Sequence, residues 1–330
     1  MFQDFSTPAD PASGPPRIAA LRDAMTTAGV HGFLVPRADA HQGEFVAPRD
    51  ARLGWLTGFT GSAGLAVILA EDAALFVDGR YTIQASAQVD TQVLTLKSIP
   101  ADKPASWIGE HLAEGQVMAY DPWLHTAKDV ESWAETLEPK GITLRPVENL
   151  VDRVWDDQPA PPSGRVAVQP LEFAGRGHRD KRADIADALR AAGVRAGVLT
   201  LPDSIAWLLN IRGNDVARIP VVHAFAIVHA DSRVTLFTDP AKLDEAARLH
   251  LGPEVEVARP DDFGPALDAL KGPVGVDRAS APKWISDRLE AADVEVTWMR
   301  DPCILPKACK TGAELAGSRA AHLRDGAAMV

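Results

Sequence analysis

Six elements recur in the same order in the two halves of this 330-residue chain, and that repetition restricts the fold to a tandem of like domains. In the first half a helical pattern, RIAALRDAMTTAGV, closes at Gly29 and feeds an apolar run, GFLVP. RLGWLTGFTG follows, then two strand-like runs, GLAVILA and AALFVDG, a further run QVMAYD, a helical pattern TAKDVESWAETL, and a closing run GITLRPV. In the second half RADIADALRAAGV ends in the same Ala-Gly-Val and feeds AGVLTLPD. SIAWLLNIRGND repeats the Trp-Leu phrase, with Trp207-Leu208 where Trp55-Leu56 stood. AFAIVHA and VTLFTD repeat the strand pair, VGVD answers MAYD, and APKWISDRLEAA and VEVTWM close the copy. A period of about half the chain is too long for a solenoid, so each copy must bury its own core.

Helical stretches alternating with short apolar runs, two of them adjacent, predict an α/β domain with a mixed sheet in each half. DDQPAPPSGRV, with Pro159, Pro161, Pro162 and Gly164, reads as the join. The expected organisation is a disordered tail over 1–16, a first domain over 17–155, a linker over 156–166, a second domain over 167–306, and the start of something further over 307–330. That last stretch opens with a capping box, Thr311 and Glu314. Ala316, Ala320, Leu323, Ala327 and Val330 then recur at helical steps, an apolar stripe that should pack on a partner surface.

A formal net charge of -11 argues against a nucleic-acid binder, which needs a basic footprint. The local basic run Arg176, His178, Arg179, Lys181, Arg182 reads as the solvated first turns of a helix. No stretch reaches the ~20 apolar residues of a membrane helix, and the N-terminus lacks the pattern of a secretory signal. Cys303 and Cys309 fit neither a disulfide framework nor a metal or redox pair, which suits two reduced thiols and a cytoplasmic setting.

No phrase spells a complete catalytic set. GFTGSAG, residues 58–64, has Thr60 where a nucleophile elbow needs Gly, and no lysine follows as a phosphate loop requires. It reads as a turn. His223 and His229 would stand about 20 Å apart on a straight strand, too far to share an ion. Asp39, His41 and Glu44 in DAHQGE are close enough in sequence to pinch a metal, but a hydrogen-bonded polar loop explains them without one. VDGRY places Arg80 after an Asp-Gly turn, and LNIRGNDVARIP places Arg212, Asp215 and Arg218 in a loop of the kind that lines clefts.

The long phrases DAHQGEFVAPRDARLGWLTGFTGSAGLAVILAEDAALFVDGRYTIQASAQVD, ENLVDRVWDDQP, IAWLLNIRGNDVARIPVVHAFAIV and KACKTGAELAGSRAAHLRDGAA resemble the three-domain Xaa-Pro aminopeptidases, the aminopeptidase P group of the M24 peptidases. The resemblance runs from about Arg17 to Val330. It implies two tandem creatinase/prolidase N-terminal-type domains, which agrees with the duplication. It also implies a C-terminal pita-bread catalytic domain, in which two divalent ions, usually manganese, are held by two Asp, one His and two Glu. Only the first helix of that domain has a counterpart here, so no position inherits a metal or catalytic role. The stripe on residues 316–330 is then expected to face the absent domain.

One substrate-side role carries over: the arginine of the family's D-G-R-Y motif faces the cleft, and that residue is Arg80. Its guanidinium could equally be held by Asp78. The expected function is that of the non-catalytic, cleft-walling region of an enzyme acting on short peptides with proline second. The complete enzyme would be a homodimer, and this chain a monomer and inactive alone. A free-standing interaction module derived from the same family is the alternative. A creatinase-type amidinohydrolase is less consistent, because it carries one such N-terminal domain.

Overall fold

The structure, a computed structural model, describes residues 9–330. It divides between Pro161 and Pro162 into two compact units. The expectation of a disordered tail over 1–16 falls partly outside the described residues, and it is corrected over 9–16. There Asp10 accepts a hydrogen bond from Ala12 N and caps a short turn at Pro11–Ser13. Helix α1 (Gly14–Ala28) then starts before Arg17. Pro15 and Pro16 suit the first turn of a helix, where no amide hydrogen is required. The end of the expected linker is likewise held in the second unit, since Gly164 N donates to Asp215 Oδ1 and Val166 N to Lys242 O.

The first unit is a six-stranded mixed sheet with helices on both faces. Its strands are β1 (Gly32–Pro36), β2 (Gly64–Leu69), β3 (Ala73–Asp78), β4 (Thr95–Ile99), β5 (Val117–Tyr120) and β6 (Thr143–Pro146), in the order β4-β3-β2-β1-β5-β6. β2 is antiparallel to both β1 and β3, and the remaining pairs are parallel, so β2 alone runs against the others. β1 and β3 consequently end on the same sheet edge. Both read as unbroken apolar runs because they are central and covered on both faces.

On one face α1 and α2 (Arg52–Thr57) bring Ile18, Leu21, Met25, Leu53 and Leu56 onto Phe33, Val35 and Leu75. On the other, α4 (Pro104–His111) and α5 (Ala127–Leu137) bring Trp107, Ile108 and Leu137 onto Leu34, Val67 and Phe76. Each such buried side chain contributes roughly 1.5–3 kcal/mol of transfer free energy. Helix α3 (Thr82–Gln88) follows β3.

The second unit repeats this order. Its main strands are β8 (Ala196–Leu199), β10 (Phe225–His229), β11 (Val234–Phe237), β12 (Val255–Ala258), β13 (Val274–Val276) and β14 (Val296–Trp298), arranged β12-β11-β10-β8-β13-β14 with β10 reversed. A small ribbon pairs β7 (Ala167–Val168) with β9 (Ile211–Arg212). The helices are α6 (Leu171–Ala174), α7 (His178–Ala191), α8 (Pro202–Leu209), α9 (Glu245–Leu251), α10 (Phe263–Asp268), α11 (Lys283–Ala291), α12 (Ile304–Ala308) and α13 (Gly312–Met329). The two mixed α/β sheets match the fold class expected from the repeat.

One expectation is revised. The basic run is solvated only in part: Arg179 is exposed, whereas His178, Lys181 and Arg182 are buried, on the same stripe of α7 as Ile185 and Leu189. Lys181 Nζ donates to Trp207 O at 3.0 Å and Asn210 Oδ1 at 2.8 Å, and Arg182 donates to Ser232 O at 2.7 Å. Carbonyl acceptors at loop ends supply the partners that a charge count along the sequence does not reveal.

In α13 the capping box forms as expected, with Thr311 N donating to Glu314 Oε2 and Glu314 N to Thr311 Oγ1. The side of α13 that meets the rest of its unit carries Ala313, Glu314, Gly317 and Ser318, and the stripe of Ala316, Ala320, Leu323, Ala327 and Val330 is exposed. Leu315, Leu323 and Met329 are exposed. Among the described residues no helix is long and apolar enough to cross a membrane.

Candidate functional site

In the first unit the candidate site is the edge where β1 and β3 end, the position at which α/β sheets present loops to ligands. Arg37 follows β1, with its N–H bonded to Gly64 O at 2.8 Å. Asp78 closes β3 and binds Arg80 three ways. Its Oδ1 accepts from the Arg80 amide at 2.9 Å and from Nε at 3.1 Å, and its Oδ2 accepts from Nη2 at 2.6 Å. The guanidinium lies 5.1 Å from the Tyr81 ring centroid. Arg80 thereby holds Asp78 below, and Asp78 holds Arg80 above, its ordinary pKa. The pair is exposed, so one edge of the guanidinium still faces solvent.

The GFTGSAG loop folds over the same edge. Ser62 Oγ and Tyr81 OH are 2.8 Å apart, a bond that lowers the tyrosine pKa. Phe59 meets Tyr81 edge-on at 5.5 Å. Gln88 Oε1 accepts from Thr60 N at 3.0 Å. Gly58 ends α2 at φ 84, and a Cβ there would lie 2.7 Å from Gln88 O, so the position admits glycine alone. Ser62 is partnered by a tyrosine instead of a histidine, so the loop holds no activated nucleophile of the Ser-His kind. The turn reading of GFTGSAG stands.

Asp39, His41 and Glu44 separate by exposure. Asp39 Oδ1 accepts from His41 N at 2.9 Å and Gly43 N at 3.3 Å, an Asx-type closure with Asp39 and His41 buried, whereas Glu44 is exposed. Within each unit taken alone, no three His, Cys, Asp or Glu side chains among the described residues converge as metal ligands. Neither unit by itself fits the two-ion centre that the resemblance implies elsewhere.

In the second unit, the three charged residues of LNIRGNDVARIP take different roles. Asp215 is a buried keystone. Its Oδ1 accepts from Gly164 N at 2.9 Å, while Oδ2 accepts from His223 N at 2.7 Å and Lys242 Nζ at 2.8 Å. Arg218 is exposed on a left-handed turn, φ 69. Arg212 points into a pocket of about 490 Å³. His223 precedes β10 and His229 ends it, so the two do not share a straight strand.

A profile described as the Creatinase/Prolidase N-terminal domain matches residues 17–154, and a second of the same description matches residues 157–314. Both units belong to the creatinase/prolidase N-terminal domain family. The chain is 38% identical over 329 residues to a probable Xaa-Pro aminopeptidase P of Coccidioides posadasii, covering 95% of this chain and 53% of that protein. A relative of the same description in Aspergillus clavatus is 38% identical, with 95% and 50% covered. The crystal structure of the X-prolyl aminopeptidase of Caenorhabditis elegans, described as a cytosolic enzyme with a di-nuclear active site, superposes with a TM-score of 0.88 at 28% identity. That match covers 95% of this chain and 54% of the other. The chain thus spans about half the length of the relatives it matches.

Two creatinase/prolidase-domain residues, Arg37 and Asp301, escaped the sequence reading, and Lys181 was misread. Arg37, at the end of β1, has a buried Nη1 with no partner among the described residues. Lys181 lay hidden within an apparently solvated run. Asp301 is a buried acid whose N–H donates to the buried carboxylate of Asp277, a contact that only the fold brings together.

Proposed function

We propose that this chain is the non-catalytic N-terminal half of a metal-dependent Xaa-Pro aminopeptidase, where its two units wall the cleft and restrict access to short peptides with proline second. The observation that carries this reading is the mismatch in coverage, 95% of this chain against 53% of a relative at 38% identity. In this reading the metal pair, manganese by the family resemblance, and the hydrolytic step belong to a domain beyond these two, and this chain alone is inactive. Arg80, steered by Asp78 but open on one edge, would pair with a peptide carbonyl or carboxylate at the cleft wall.

A hybrid tests the role: this chain replaces the matching half of the C. elegans enzyme. Retained release of the first residue from Xaa-Pro peptides supports the reading, and a folded, metal-loaded hybrid without that activity overturns it. The exposed apolar side chains of α13, Leu315, Leu323 and Met329, favour a second reading as a free-standing interaction module. Sedimentation separates the two oligomeric expectations, a monomer for this chain and a homodimer for the complete enzyme.

A further inference from the structure

The pocket in the second unit lies between α8, the loop after β9 and the first turns of α13. At about 490 Å³ it falls in the ~300–1,000 Å³ range of small-ligand sites. Its walls are mainly apolar and include Trp207, Phe173, Ile219 and Val221. Its charges are unevenly matched. Both lining carboxylates are already engaged: Asp203 pairs with Lys307, and Glu314 accepts from Thr311 N.

Two of the three lining cations, Arg212 and Lys310, form no direct ion pair among the described residues, although the charge of Glu314 acts on Arg212 across the pocket. Arg212 donates from Nη1 to Ile211 O at 2.8 Å and Ala206 O at 3.3 Å, and has no ion-pair partner among the described residues. Lys310 Nζ donates to Lys307 O at 3.0 Å. A further cation stands behind the wall, with Lys181 Nζ 4.5 Å from the centroid of the Trp207 ring. Apolar walls around excess positive charge focus the field toward the guanidinium, whose planar fork matches a carboxylate. Burial lowers the Arg212 pKa, and the nearby Glu314 offsets this only in part.

We propose that this pocket is a binding site for an organic carboxylate carrying an apolar or aromatic body of about the size of an acylated amino acid, with the carboxylate on Arg212 and the body against Trp207. The proposal does not rest on the peptide contact proposed for Arg80, since none of the pocket's residues lies in the first unit.

Isothermal titration of the 330-residue chain with N-acetyl-L-phenylalanine tests it, with N-acetyl-L-phenylalanine amide and inorganic phosphate as comparison probes. A Kd in the millimolar range or below is expected for the carboxylate, weakened at least about tenfold for the amide and by Arg212→Gln. No binding of the carboxylate, or equal binding of the amide, overturns the proposal. Phosphate binding as tight as the carboxylate's overturns the role of the apolar body. Should Arg212→Gln unfold the unit, Gly317→Trp decides. A Cβ at Gly317 meets no atom within 4 Å, so the new ring can enter the groove without a clash at its base. Lost binding in that variant supports the site, and unchanged binding overturns it.

Discussion

Asn149 donates from Nδ2 to Asp121 Oδ2 at 2.8 Å, three residues beyond the last strand of the first unit. At the matching place in the second unit, three residues beyond β14, stands Asp301, whose N–H donates to Asp277 Oδ2 at 2.9 Å. The surroundings correspond closely. Trp123 N and Ala279 N each donate to Oδ1 of the first carboxylate, and Val151 N and Cys303 N each donate to Oδ1 of the second group. One copy of the duplicated joint therefore has a side-chain amide bonded to the carboxylate, and the other places a second acid, Asp301, where the charge of Asp277 acts on it.

That difference predicts that Asp301→Asn stabilises the second unit. Burial, with Asp277 adding to it, holds Asp301 above the ordinary carboxylate range. A raised folded pKa means the native state keeps its proton while the unfolded chain has lost it, so stability falls as pH rises above about 3.8. The asparagine keeps the acceptor for Cys303 N, supplies a donor like that of Asn149, and does not titrate. A gain of about 1 kcal/mol at neutral pH is expected, shrinking toward pH 4, read by denaturant unfolding of both proteins.

His125 sets an acid limit on the first unit. Its ring is buried edge-on to Tyr120 and Trp133, and burial lowers its pKa to about 4. Below pH 6.5 the unfolded chain takes a proton that the native state refuses until about 4, so stability declines across that window by about 3 kcal/mol. His125→Phe preserves the aromatic contacts and should flatten this part of the pH–stability profile.

The Asp215–Lys242 pair is buried on both sides, and Lys242→Met leaves a buried carboxylate with two amide donors and no cation. A loss of about 3 kcal/mol is expected for the second unit, with the first unit's transition unmoved. Near-wild-type unfolding of this variant would contradict the keystone role.

How much of this was legible in the sequence depended on how local the signal was. GFLVP and AALFVD announced themselves as central strands because both faces are covered. β4 and β12, at the sheet edges, were missed: half-exposed TLKSI and VEVA offer no apolar run. Arg80 could be singled out from VDGRY, but its triple attachment to Asp78 required the turn geometry. Lys181 and Asp301 were misread or overlooked because their partners, Trp207 O and Asp277, lie 26 and 24 residues away. The pocket on Arg212 depends on α13 folding back near α6, which no pattern within α13 encodes.

Arg80→Ala separates anchoring from recognition. Because the Arg80–Asp78 pair is exposed, the melting temperature should not change measurably. In the hybrid with the C. elegans catalytic half, the proposed cleft role predicts a raised KM for Xaa-Pro peptides with kcat largely kept. Unchanged KM would leave Arg80 as a turn residue only.

The central claim is that these two creatinase/prolidase-type units do not themselves carry the hydrolytic centre. It is tested most directly by incubating the purified 330-residue chain with excess manganese and a short peptide bearing proline second, and quantifying the free first residue. The account predicts release no faster than in the protein-free control. Manganese-dependent release that scales with protein concentration and is abolished by chelation would contradict it.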